Sequence, residues 1–123
     1  MTGRYALVFP GQGAQKVGMG RELFEAFDAA RATFSEADAA LGEPLSRLIF
    51  EGPSETLTLT ANTQPSIVTV SVAVLRSLAA KVALAPAFVA GHSLGEYSAL
   101  VASGAMSFAE AVRTTRARGK IMQ

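Results

Sequence analysis

The stretch Gly91-His92-Ser93-Leu94-Gly95 constrains this chain more than any other, because it asks for a strand, a sharp turn and a helix in immediate succession. Ahead of it, residues 87–90 follow Pro86 as a short apolar run that reads as a buried strand. Behind it, residues 94–103 place Leu94, Tyr97 and Val101 on one helix face. That is the setting a G-x-S-x-G match requires. Side chains two residues either side of a serine held at the tip of so tight a turn would collide, and Gly91 and Gly95 remove them. The turn lifts the Ser93 hydroxyl off the sheet edge and sets it near a helix N-terminus, where backbone N–H groups favour developing negative charge. The Leu94 N–H is then a natural oxyanion donor.

A serine hydroxyl is a poor nucleophile until a positioned base, usually a histidine, takes its proton. The chain has one histidine, His92, directly before Ser93. Consecutive side chains at a strand end point to opposite sides, so His92 is badly placed to serve. It reads as a hydrogen-bonded structural histidine beside the turn. The general base is expected outside these 123 residues.

Half of the residues are hydrophobic, enough for the core of one domain. The absence of cysteine excludes disulfides, thiolate metal sites and a cysteine nucleophile, and fits a reducing compartment. A net charge of +1 gives no case for nucleic acid. No leader of signal-peptide type and no membrane-length apolar run is present, so no membrane partner and a cytoplasmic location are expected. The chain stops at Gln123 inside or at the end of a helical pattern, which suggests a fragment.

Residues 5–9 read as an interior strand of a parallel sheet, broken by Pro10-Gly11-Gln12-Gly13. A dinucleotide-binding fingerprint would need a further glycine where Lys16 stands. Gln12, between two glycines just past a strand end, is either a placed hydrogen-bond donor or a solvated turn residue. Residues 21–41 predict one helix, anchored in the core by Leu23, Phe24, Phe27 and Phe34 and stopped at Gly42. Residues 45–50 predict a short helix closed by Gly52-Pro53, and Ser54 with Glu55 begins another brief turn. No chemistry is expected in this part.

Residues 67–82 are ambiguous, since Val68, Val70, Val72 and Val74 alternate as in a strand. The run is too long for an ordinary strand, and Asn62 or Thr63 can cap a helix with Pro65 in its first turn, so a buried helix is expected. Gln64 at its N-terminal end either faces a site or caps. Beyond the serine turn, Gly104 ends one helix, and Ser107 with Glu110 makes a capping box for the next. On that last helix Arg113, Arg116 and Lys120 share a face, read as solvated or as a docking patch for an acidic partner. Arg118 falls on nearly the opposite side, with Ala111, Thr114, Thr115, Ile121 and Met122. A guanidinium on such a stripe needs an anion, either an internal carboxylate or the carboxylate of a ligand near Ser93.

Together Phe9-Pro10-Gly11-Gln12-Gly13, Asn62-Thr63-Gln64-Pro65, Gly91-His92-Ser93-Leu94-Gly95-Glu96, Arg118-Gly119-Lys120 and Met122-Gln123 resemble the malonyl-CoA:acyl carrier protein transacylase family over the whole chain. The resemblance implies an α/β fold, the N-terminal part of an α/β-hydrolase-like large subdomain, with residues 1–123 an incomplete domain that lacks the ferredoxin-like small subdomain. It implies that Ser93 is the acylated nucleophile, that Gln12 and the Leu94 N–H form the oxyanion hole, and that Arg118 holds the malonyl carboxylate, with Gln64 and His92 beside the substrate. It further implies malonyl-CoA as substrate, no bound cofactor or metal, fatty acid biosynthesis, and acyl carrier protein and the downstream remainder of the enzyme, in a second chain or as part of a larger protein, as partners. The family's catalytic histidine lies downstream, and no residue here matches it. An α/β-hydrolase-type esterase or thioesterase, and a non-catalytic fragment that binds coenzyme A or acyl carrier protein, are the competing readings.

Overall fold

The computed structural model describes residues 3–123. The element order is β1 (Ala6–Phe9), α1 (Arg21–Ala26), α2 (Asp28–Leu41), α3 (Leu45–Glu51), α4 (Ser54–Thr58), α5 (Thr60–Ala79), β2 (Phe88–Gly91), α6 (Gly95–Ser103) and α7 (Phe108–Met122). Among the described residues β1 and β2 form a two-stranded parallel sheet, in register from Ala6 opposite Phe88 to Phe9 opposite Gly91. Tyr5 extends the pairing, its carbonyl accepting from the Ala87 N–H at 2.8 Å.

The ambiguous segment is a helix. α5 is the central element, buried from Thr63 to Thr69 and packed against α7 and α2. Val68 and Val72 pack in the core with Phe34, Ile49, Leu57, Phe108 and Val112. The rings of Phe24, Phe34 and Phe50 meet with centroids 4.8–5.8 Å apart, so these aromatics are core. The start of α5 differs from expectation. Neither Asn62 nor Thr63 caps it; the helix begins at Thr60, and Pro65 sits in the second turn. The reason is tertiary: the Gln123 side-chain carbonyl accepts from the Ala61 N–H at 3.0 Å, a cap supplied by the far end of α7.

Two further expectations are corrected. Residues 21–41 form two helices, because Phe27 is extended (φ −128°, ψ 129°) between α1 and α2. Arg31 Nη1 donates to the carbonyls of Phe24 and Glu25, at 2.8 and 3.0 Å, and so satisfies the end of α1 that a continuous helix would have closed. The strands are not buried on both sides either. Leu7, Phe9 and Val89 face the helices, whereas Val8 is 74% and Phe88 69% exposed, with Ala6 and Ala90 exposed on the same face. A parallel strand pair covered on one side only leaves that face apolar and bare.

The remaining boundaries follow local chemistry. Gly42 and Gly104 close α2 and α6. Ser107 caps α7, its Oγ accepting from the Glu110 N–H at 3.2 Å while donating to the Glu110 carboxylate at 3.0 Å.

Candidate active site

The serine turn has the geometry its glycines call for. Ser93 is the only non-glycine among the described residues with positive φ, +54°. A Cβ on Gly91 would lie 2.0 Å from the carbonyl of Gly95, and one on Gly95 would lie 2.4 Å from the Phe9 carbonyl oxygen. No side chain fits at either place, so the strained serine is held by three backbones in contact. Ser93 is exposed, and the buried Leu94 heads α6. The Leu94 N–H makes no hydrogen bond among the described residues, whereas the next two amides turn back to the carbonyls of His92 and Ser93.

The loop after β1 lies against this turn. A Cβ on Gly11 would come within 2.3 Å of the His92 carbonyl oxygen, which brings Gln12 beside the elbow. The Gln12 side chain donates through Nε2 to Thr60 Oγ1 at 3.1 Å. Of the two readings left open for it, Gln12 is thus a donor with a placed partner, though exposed, and its amide is committed to the first residue of α5. Its backbone N–H has no acceptor among the described residues. Thr60 is a residue that sequence reasoning missed, since a threonine at a helix start carries no signal for a partner 48 residues away.

Arg118 reaches the same place from α7. Its Nη2 donates to Ser93 Oγ at 3.2 Å and its Nη1 to Gln64 Oε1 at 2.8 Å. Gln64 is fully buried and faces the site, its Nε2 donating to Met122 Sδ at 3.3 Å. The Arg118 guanidinium carbon stands 5.6 Å from the centroid of the Tyr97 ring. Ion pairs among the described residues engage Arg31, Arg47, Arg76 and Arg116, and none engages Arg118. Of the two anions considered for it, the internal carboxylate is thus not found.

What sets Arg118 there is a close helix crossing. A Cβ on Gly119 would lie 2.7 Å from Ala61 Cα and from the Thr60 carbonyl oxygen, so α7 touches α5 backbone to backbone. On one side of the crossing Arg118 meets Gln64. On the other Arg116 Nη1 donates to Asn62 Oδ1 at 2.5 Å and Nη2 pairs with Glu43. Arg116 is accordingly no member of a solvated face: its side chain is only 14% exposed, and burial pushes its guanidinium below the ordinary arginine value. Arg113 and Lys120 are exposed as expected. The stripe expected around Arg118 is narrower than the helical wheel predicts, since Thr114, Ile121 and Met122 are exposed and of its members only Ala111 and Thr115 are buried.

His92 is the other correction. It is exposed, and its ring makes no hydrogen bond among the described residues; only its backbone is engaged, its N–H donating to the Phe9 carbonyl and its carbonyl accepting from the Gly95 N–H. It does not touch Ser93 Oγ, whose one partner here is Arg118. No group of three or more His, Cys, Asp or Glu side chains among the described residues is placed to hold a metal ion. No described helix is long and apolar enough to cross a membrane.

Residues 6–123 match the acyl transferase domain family. The malonyl CoA-acyl carrier protein transacylase of Bacillus subtilis (strain 168) is 56% identical over 119 residues, which are 97% of this chain and 37% of that protein. The Escherichia coli (strain K12) protein of the same name is 50% identical over 120 residues, 98% of this chain and 39% of that one. The crystal structure of acyl-carrier-protein-S-malonyltransferase from Bartonella henselae superimposes with a TM-score of 0.92 at 52% identity, covering 97% of this chain and 39% of that chain. A malonyl-transacylase solved in complex with a type II PKS acyl-carrier protein gives a TM-score of 0.94 at 47% identity, covering 98% and 39%. The chain spans about two fifths of the length of these relatives.

Proposed function

Because this chain belongs to the acyl transferase domain family, we propose that it supplies the nucleophile, the oxyanion donors and the carboxylate clamp of a malonyl-CoA:acyl carrier protein transacylase. The observation that carries this reading is Arg118, bonded to Ser93 Oγ at 3.2 Å and to buried Gln64 but engaged with no carboxylate among the described residues. A permanent cation beside a nucleophile, with N–H groups to spare, suits a substrate that brings its own carboxylate. An esterase or thioesterase gives such an arginine no task.

In the proposed reaction Ser93 Oγ attacks the thioester carbonyl of malonyl-CoA and forms the acyl–oxygen bond. The carbonyl oxygen takes the negative charge and is met by the Leu94 N–H and the backbone N–H of Gln12, both without another acceptor. Collapse expels coenzyme A as its thiol and leaves malonyl-Ser93. The phosphopantetheine thiol of acyl carrier protein then attacks the same carbonyl, releasing Ser93 and giving ping-pong kinetics. The Ser93 proton goes to a base contributed by the rest of the full-length protein, consistent with the position of His92 off Ser93 Oγ. Arg118 binds the distal carboxylate throughout, and Gln64 holds Arg118.

Intact-mass spectrometry of the full-length protein after incubation with malonyl-CoA tests this. A malonyl adduct is expected, absent from Ser93→Ala and strongly reduced in Arg118→Ala, while an acetyl adduct survives in Arg118→Ala. No adduct on the folded protein, or an adduct retained in Ser93→Ala, overturns the proposal. The segment of residues 1–123 by itself is expected to show no turnover.

A further inference from the structure

Two hydrogen bonds hold the Arg118 guanidinium, one from each terminal nitrogen, to Gln64 Oε1 and to Ser93 Oγ. Two anchors define a line, and a planar fork can still tilt about it. The tilt decides whether the three remaining N–H groups point to where an acyl carboxylate would stand or away from it. The third contact is the face of Tyr97, 5.6 Å from the guanidinium carbon and off that line. Tyr97 lies in the first turn of α6, half-buried against the core, with its N–H on the Leu94 carbonyl at 3.0 Å. Its backbone is therefore set by the same turn that presents Ser93, and its side chain packs against the core.

We propose that Tyr97 is a positioning residue for acyl selection, its ring face setting the plane of Arg118 so that the free guanidinium edge meets the carboxylate of the acyl group. The inference rests on the transacylase reading above. An aromatic face suits this task where a carboxylate would not. It attracts the cation through the ring quadrupole but takes up no N–H, so the three N–H groups not held by Gln64 and Ser93 stay free for the ligand. A carboxylate at the same place would also orient the arginine, and would neutralise it.

The test is steady-state transfer by the full-length protein from malonyl-CoA and from acetyl-CoA, with Tyr97→Leu, Tyr97→Met, Tyr97→Phe and Arg118→Ala compared with the unchanged protein. Tyr97→Leu is expected to lower kcat/KM for malonyl-CoA roughly 3- to 30-fold, the range from an exposed to a desolvated cation–π contact, chiefly through KM. Acetyl transfer should fall by less than about 2-fold, so the malonyl-to-acetyl ratio drops. Tyr97→Phe keeps the ring and should keep the ratio. Tyr97→Met supplies a second ringless variant should the leucine form fail to fold, and melting temperatures separate folding loss from the kinetic effect. An unchanged ratio in the ringless variants, or a ratio that falls as far in Tyr97→Phe, overturns the role of the ring face. Should Arg118→Ala also leave the ratio unchanged, the carboxylate clamp itself is wrong; a ratio that collapses in Arg118→Ala alone removes Tyr97 and leaves the clamp standing.

Discussion

The crossing of α5 and α7 delivers Arg118 and the β1–β2 sheet delivers Ser93, yet the two regions are completed to different degrees. At the crossing, Gly119 lies on Ala61, Gln123 caps α5, Asn62 takes Arg116, and Gln64 takes Arg118. These contacts lie within the chain, and Arg118 keeps N–H groups to spare beyond them. At the sheet, the helix-facing side is packed while Ala6, Val8, Phe88 and Ala90 stand in the open on the other side. The free edge of β1 borders an apolar groove lined by Leu7, Val74 and Leu78. The difference teaches that the place of Arg118 is set by contacts within this chain, whereas the sheet under Ser93 carries bare apolar surface on its open side.

The largest effect is expected where the two regions cannot relax. Gly91→Ala drives a methyl into the Gly95 carbonyl and should destabilise the full-length protein by about 3 kcal/mol, near the upper end for overpacking. Chemical denaturation checks it, and a midpoint unmoved within error would mean that the elbow has room the contact distances deny. Phe88→Ser separates the regions directly. In the full-length protein it should cost about 3 kcal/mol, as for other buried aromatics, if the open face is covered there. In the 1–123 segment it should cost less than about 0.5 kcal/mol and reduce self-association on size-exclusion chromatography. Equal costs in both would erase the contrast between crossing and sheet.

Gly119→Ala probes the crossing. Parting α7 from α5 at Ala61 should cost about 2 kcal/mol and pull Arg118 from Ser93, so malonyl adduct formation should fall more than acetyl. A loss of stability with no change in that preference would show that Arg118 is held without the crossing. The smallest effect belongs to Glu43→Gln, which leaves Arg116 its Asn62 bond but removes the anion: about 1 kcal/mol in thermal or chemical unfolding, since Glu43 itself is half-exposed. A larger cost would place Glu43 among the groups that hold α7.

Much of the site was legible in the chain because its signals are local. The elbow is written in five consecutive residues: Gly91 is required by the Gly95 backbone four residues on, although Gly95 is required by the distant carbonyl of Phe9. The capping box at Ser107 and Glu110, and the stops at Gly42 and Gly104, act within one helical turn. The length of the apolar run was enough to choose a helix for α5 over a strand. What misled was also local reasoning, applied where a distant group decides. Phe27 continues the helical pattern, but Arg31 caps the carbonyls that would have carried it on. Arg116 sits on a polar face of the helical wheel, but that face meets Asn62 and Glu43.

By itself, then, the sequence determined where the chain turns at Ser93, that the apolar run after Pro65 is a helix, and that Arg118 lies off the face of Arg113 and Lys120. Those are consequences of backbone sterics and helical period, both properties of short stretches. The tertiary structure alone decided that Arg118 meets Ser93 from 25 residues away and Gln64 from 54, that Gln12 spends its side chain on Thr60, and that one face of the sheet lies bare. Each of these depends on which surfaces pack together, and packing is a property of the whole chain that no local pattern carries.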